Sequence, residues 1–210
     1  MKALDKVYRE LFPTPMFMAR VDDLSVCDRA VEDLKKLRAT GVGFPNDFSW
    51  SSPDYLHTLP EFRELAEFFH FEAGEVLEAM GIKRDSHEIT CMWANAAELG
   101  YQHMMHVHAN SVISGILYLE APEGSGDTIF MDPRPAPMMF EWDYFRKDAF
   151  EASSKYISNK AEKGVLTFFP SWLAHGVGIG AKRPGQERIV MSFNVMIRGE
   201  LTQETKKLAL

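Results

Sequence analysis

Three of the seven histidines in this 210-residue chain fall within six positions: His103, His106 and His108. His106 and His108 are two apart in Gln102–His108, which reads as a strand, so both imidazoles project from one face. Neutral imidazole is a ligand for Fe, Zn, Cu or Ni, and one strand can thus offer two ligands to one ion. His175 comes much later, at the start of another strand and after Phe168-Phe169-Pro170-Ser171-Trp172-Leu173. Two close histidines and one distant one make His106, His108 and His175 a candidate metal set. His103 has the opposite strand parity and is read as an exposed or locally satisfied side chain outside that set. H-x-H alone is a short pattern, and a polar strand rim would be spelled the same way.

Arg188 opens the strand Arg188-Ile189-Val190-Met191-Ser192-Phe193-Asn194-Val195. Ile189, Met191, Phe193 and Val195 share one face, suited to packing on helices. Arg188, Val190, Ser192 and Asn194 share the other, which would point inward. An inward arginine lacking a partner costs roughly 3–5 kcal/mol. A dicarboxylate is an attractive partner, because guanidinium binds carboxylate bidentately. A structural salt bridge or a rim arginine fits the position too. Tyr118, with the same parity as Ser114, could bond the same carboxylate or be a buried core tyrosine.

The elements that must position these groups come in two blocks. Pro15–Val21 reads as a first strand. Asp22, Asp23 or Ser25 can cap a helix with Cys27, Ala30, Val31, Leu34 and Leu37 on one face, ending near Gly41. Gly41–Pro53, with Phe44 and Trp50, reads as a long surface loop. A second helix begins near Pro60, carries the stripe Phe62, Leu65, Ala66, Phe69, Ala73, Val76, Leu77 and Met80, and stops at Gly81. From Glu88 onward short strands dominate: Glu88–Asn95, Gln102–His108, Val112–Glu120, Thr128–Met131, Gly164–Phe169, His175–Ile179 and Arg188–Ile197. Helices followed by antiparallel strands predict a single α+β domain over 1–210, a sandwich or barrel with the helices covering one sheet.

Composition narrows the function classes. A net charge of −7 with scattered Lys and Arg argues against a dedicated nucleic-acid binder. No apolar run suits a signal peptide or a membrane span. Cys27 and Cys91 read as two separate thiols of a reducing, cytoplasmic compartment.

Taken together, these blocks resemble the Fe(II)/2-oxoglutarate-dependent oxygenases, in their prolyl-hydroxylase-like branch. The resemblance rests on Leu11-Phe12-Pro13-Thr14-Pro15, Trp93-Ala94-Asn95, His106-Val107-His108-Ala109-Asn110-Ser111, Ser114-Gly115-Ile116-Leu117-Tyr118-Leu119, Asp132-Pro133-Arg134, Gly164 to His175, and Arg188 to Asn194. It implies a double-stranded β-helix of jelly-roll or cupin-like form, with Fe(II) and 2-oxoglutarate as cofactors. It implies His106 as first ligand, His175 as distal ligand, Arg188 as the holder of the far carboxylate of 2-oxoglutarate, and Tyr118 as its support. Ser192 and Asn95 complete the candidate cofactor-binding residues.

One departure stands out. The wider family uses H-x-D, whereas His106-Val107-His108 and His108-Ala109-Asn110 contain no carboxylate. Either three histidines bind the metal or a carboxylate comes from elsewhere. Asp132 is the outside candidate: a hairpin through Glu120–Asp127 would bring Met131–Arg134 back near Ser114. Asp132 can equally be a turn residue before Pro133.

The implied activity is hydroxylation of a small-molecule or peptidyl substrate. Two other readings are a three-histidine cupin-like dioxygenase without 2-oxoglutarate and a non-catalytic metabolite-binding jelly roll. The aromatic-rich stretches 41–53 and 135–156, the latter with Phe140, Trp142, Tyr144 and Phe145, could cover the site mouth, complete a core or form a homodimer contact.

Overall fold

A computed structural model of the protein describes residues 7, 12–134, 154–203 and 206–209. The segment holding Phe140, Trp142, Tyr144 and Phe145, and Leu11 of the opening block, lie outside the described residues.

Helix α1 (Ser25–Ala39) buries Cys27, Ala30, Val31 and Leu34, spaced three and four apart as an amphipathic helix requires. Asp23 accepts the Ser25 amide at 2.9 Å, satisfying one of the free N–H groups at the helix start. Helix α2 (Arg63–Ala79) follows a 3₁₀ turn at Pro60–Phe62 and buries Leu65, Phe69, Ala73, Val76 and Leu77. It ends before Gly81, whose φ of 68° reverses the chain in a conformation open to glycine.

The strands are β1 (Phe17–Arg20), β2 (Phe44–Pro45), β3 (Ser49–Ser51), β4 (Ser86–Leu99), β5 (His103–His106), β6 (Ile113–Glu120), β7 (Thr128–Met131), β8 (Tyr156–Asn159), β9 (Val165–Pro170), β10 (His175–Val177) and β11 (Arg183–Arg198). They form a large sheet in the order β1-β9-β6-β11-β4-β3-β2 and a small one in the order β5-β10-β7-β8. Pairing is antiparallel throughout both. Glu200–Gln203 and Lys206–Ala209 pair as a separate ribbon.

The large sheet has two unlike faces. Ile189, Met191, Phe193 and Val195 pack with the buried faces of α1 and α2 in one apolar cluster. Phe193 is stacked on Phe69, with ring centroids 4.2 Å apart. A side chain at Gly115, beside Phe193 in the register, would overlap its ring. On the other face Ile116, Tyr118, Val165, Phe169 and Val190 meet Phe130 of the small sheet in a second cluster. This is the double-stranded β-helix, and the alternation read along Arg188–Val195 is the alternation observed.

Two expectations need correction. Gly41–Pro53 is not all loop: β2 and β3 extend the large sheet, and Trp50 is 2% exposed with its Nε1 donating to the Val42 carbonyl at 3.1 Å. Strands this short show no alternation to read. The second concerns residues 120–134. β6 and β7 are not hairpin partners, because β6 lies in the large sheet and β7 pairs with β10 and β8. Residues 131–134 therefore do not return to Ser114.

Candidate metal centre and anion pocket

The centre is built where β5 and β10 run side by side. His106 is the register partner of His175, which on its other side faces Phe130 of β7. His108 lies two residues past the end of β5, so the expected strand stops short of it. It is held there by its backbone amide, which donates to the Ser171 carbonyl at 2.9 Å. Asn110 turns the chain toward β6 with a left-handed φ of 57°, a conformation asparagine tolerates well.

The three imidazoles converge. One ring nitrogen from each of His106, His108 and His175 lies within 4.8 Å of the others. His108 Nε2 and His175 Nε2 are 3.2 Å apart. His175 Nδ1 donates to the Leu173 carbonyl and His106 Nδ1 to the Met104 carbonyl, both at 2.9 Å. These bonds place the proton on Nδ1 and leave each Nε2 lone pair for a ligand, the usual way a protein sets an imidazole for metal. Burial, with the neighbouring histidines adding to it, pushes the His108 imidazole down to about 4. Burial also lowers His175 to about 4, against an opposing pull from its bond to Leu173. Both rings are thus neutral near pH 7, as metal ligation requires.

Behind His108 lies a polar chain. Ser171 donates to Ser114 at 2.9 Å, Ser114 to Asn194 Oδ1 at 2.7 Å, and Asn194 Nδ2 to Cys91 Sγ at 3.1 Å. The Asn194 amide comes within 3.5 Å of His108 Nδ1. Ser114, Ser171 and Asn194 are all buried.

A cavity of about 160 Å³ adjoins the triad, lined among others by Asn95, Thr128, Arg188 and Ser192. Arg188 is 7% exposed. Its Nη2 donates to Thr128 Oγ1 at 3.3 Å, and its guanidinium lies 5.0 Å from the centre of the Tyr118 ring. Its buried Nε has no hydrogen-bond partner, and no carboxylate among the described residues pairs with it. A buried guanidinium in this state calls for an anion.

The remaining candidates fall as follows. Tyr118 is fully buried, and its hydroxyl pairs with Thr128 Oγ1 at 2.6 Å, so it holds Arg188 by its ring face and Thr128 by its oxygen. Asn95 accepts from Trp93 Nε1 at 3.0 Å and donates to Ser51 at 2.6 Å. Asp132 stands apart. Its carboxylate is tied to Arg134, with a closest approach of 2.6 Å, and it does not join the histidine group. The hairpin that would have carried it to the centre does not form. Cys27 and Cys91 are free thiols.

His103 is exposed as a residue and outside the three-histidine group, as expected, but its ring is not clear of the site. Two residues of β10, from His175 to Val177, span the same interval as three of β5, from His106 to His103. This bulge cancels the parity difference, so His103 stacks on His106 at 4.5 Å and lines the same cavity. Gly176 makes room for it, since a Cβ there would lie 2.6 Å from the His103 carbonyl oxygen. Burial, His106 and Arg188 together hold the His103 imidazole below its ordinary range.

Comparison with known proteins agrees with this geometry. Residues 91–194 match the family model described as "Putative 2OG-Fe(II) oxygenase". No curated protein sequence matches. Among solved structures, a Pseudomonas putida prolyl-4-hydroxylase aligns with TM-score 0.61 at 12% identity, over 89% of this chain and 94% of that one. HygX from Streptomyces hygroscopicus, solved with nickel and 2-oxoglutarate, aligns with TM-score 0.62 at 14% identity, over 88% and 83%. The epimerase SnoN from nogalamycin biosynthesis aligns with TM-score 0.62 at 13% identity, over 88% and 77%. At these identities the structures attest the shared fold. The segment 91–194 carries the three converging histidines and the buried guanidinium described above, and it is this segment that matches the 2OG-Fe(II) oxygenase family.

Proposed function

We propose that His106, His108 and His175 hold one Fe(II), that Arg188 receives the far carboxylate of 2-oxoglutarate, and that the site hydroxylates a small-molecule or peptidyl substrate. The observation that carries this reading is the convergence of three histidine ring nitrogens beside a buried guanidinium that has no acid partner among the described residues. Bound together, Fe(II) and 2-oxoglutarate supply O2 activation coupled to release of CO2 and succinate, the oxidising power for a C–H bond.

The chain's own residues do the rest. The Leu173 and Met104 carbonyls fix two ligand rings in the tautomer that presents Nε2. Tyr118 and Thr128 hold the guanidinium beside the metal site. Val190, Phe169 and Phe130 wall the interior with apolar surface and limit water. Ser192 and Asn95 offer polar groups on the cavity wall. An all-histidine donor set would equally suit a dioxygenase that needs no 2-oxoglutarate. The unpaired Arg188 favours a dicarboxylate.

The test mixes protein with Fe(II), ascorbate and 2-oxoglutarate in air, and measures succinate together with thermal unfolding. The expected result is succinate formation and a rise in Tm with 2-oxoglutarate that Arg188→Ala abolishes while bound iron remains. A protein that takes up no Fe(II), or whose Tm ignores 2-oxoglutarate, ends the proposal.

A further inference from the structure

The rungs of the small sheet order the site. One rung carries His106, His175 and Phe130; the next inward-facing rung carries His103, Val177 and Thr128. They are two residues apart on β10, roughly 6.6 Å at about 3.3 Å per residue. The first rung holds two of the metal-ligand candidates. The second holds Thr128, which accepts from Arg188. His103 stands on this second rung only because of the bulge in β5.

His103 is placed to meet a ligand that enters the cavity. Its ring is fixed against His106 by stacking. The residue is open to solvent, and among the described residues neither of its ring nitrogens has a hydrogen-bond partner that an entering ligand would have to displace. It lines the cavity together with Arg188 and Thr128. A neutral imidazole carries one N–H, and a hydrogen bond to a carboxylate is stronger than one between neutral groups.

We propose that His103 is a cosubstrate-binding residue, donating a hydrogen bond to the same far carboxylate that Arg188 receives. The inference rests on the 2-oxoglutarate reading above. In it, one end of a five-carbon dicarboxylate meets the histidine triad and the other meets Arg188, Thr128 and His103. Arg188 supplies the charge, and His103 supplies a directional donor from the opposite sheet.

The experiment is calorimetric titration of Fe(II)-loaded protein under nitrogen with two ligands. One is 2-oxoglutarate; the other is 2-oxopentanoate, the same carbon chain without the far carboxylate. His103→Ala is expected to weaken 2-oxoglutarate about tenfold, the scale of one charge-assisted hydrogen bond. Its Kd for 2-oxopentanoate and for Fe(II) should stay within about twofold, the scatter of a site left intact. His103→Gln, which keeps an N–H donor, should recover most of the loss. An unchanged 2-oxoglutarate Kd in His103→Ala overturns the assignment, as does an equal loss for both ligands or a loss of iron. If Arg188→Ala weakens 2-oxoglutarate and His103→Ala does not, only this inference falls. If wild-type protein does not prefer 2-oxoglutarate to 2-oxopentanoate, the Arg188 reading fails and this one with it.

Discussion

Along β11, Ile189, Met191, Phe193 and Val195 meet the two helices, whereas Arg188, Ser192 and Asn194, alternating with them, sit among buried hydroxyls, amides and imidazoles. Both faces are buried, and they are buried for different reasons. The helix face is stabilised by apolar area and shape, so its side chains answer for volume. The cavity face keeps polar groups whose burial is tolerable only when each has a partner, so its side chains answer for chemistry. Substitutions on one face should therefore move stability, and substitutions on the other should move binding.

The contrast is broken most severely at His175. His175→Ala should remove bound iron and cut activity by more than the roughly 10–100-fold typical of losing a supporting partner of a metal ligand. Metal analysis and turnover check this, and the metal-free variant should unfold close to the metal-free wild type. Phe193→Ala should do the reverse. Loss of its stack on Phe69 should cost about 3–5 kcal/mol in urea unfolding, while the folded fraction still takes up one iron.

A smaller effect follows from pH. In metal-free protein, His108 and His175 titrate near 4, against an ordinary value of 6.5. Between these values the unfolded chain binds more protons than the folded one, so stability should fall as pH drops from about 6.5 to about 4 and level off below. Chemical denaturation across that window measures the slope, and His175→Ala should flatten it. Least affected should be Glu162→Gln, which breaks an exposed pair with Arg20. Its cost should be within about 1 kcal/mol, and iron and 2-oxoglutarate binding should not change.

What could be read from sequence follows the same division. The helix stripes and the faces of Arg188–Val195 obey strict periods, and period is visible without coordinates. His106, His108 and His175 were approachable because residue type and spacing carry the chemistry. Asp132 was misplaced because nothing local says that β6 and β7 belong to different sheets. Thr128 was missed as a partner of Arg188 because a threonine in an apolar strand has no signature beyond its parity. Asn194 was placed on the inward face, but its bonds to Ser114 and Cys91 depend on pairings between distant strands. His103 was set aside by a parity argument that is sound for a regular strand and fails at a bulge.

That irregularity makes the strand unequal in the changes of length it tolerates. Met104 is 83% exposed, so its side chain is free to vary. Deleting Met104 or Met105 would leave His103 and His106 two apart, on one face of a regular strand that matches β10 residue for residue. Adding a residue between them would instead leave the bulge unable to restore the parity, and one of the two stacked imidazoles would turn out to solvent. A single codon gained in the middle of this strand should thus do more harm than one lost.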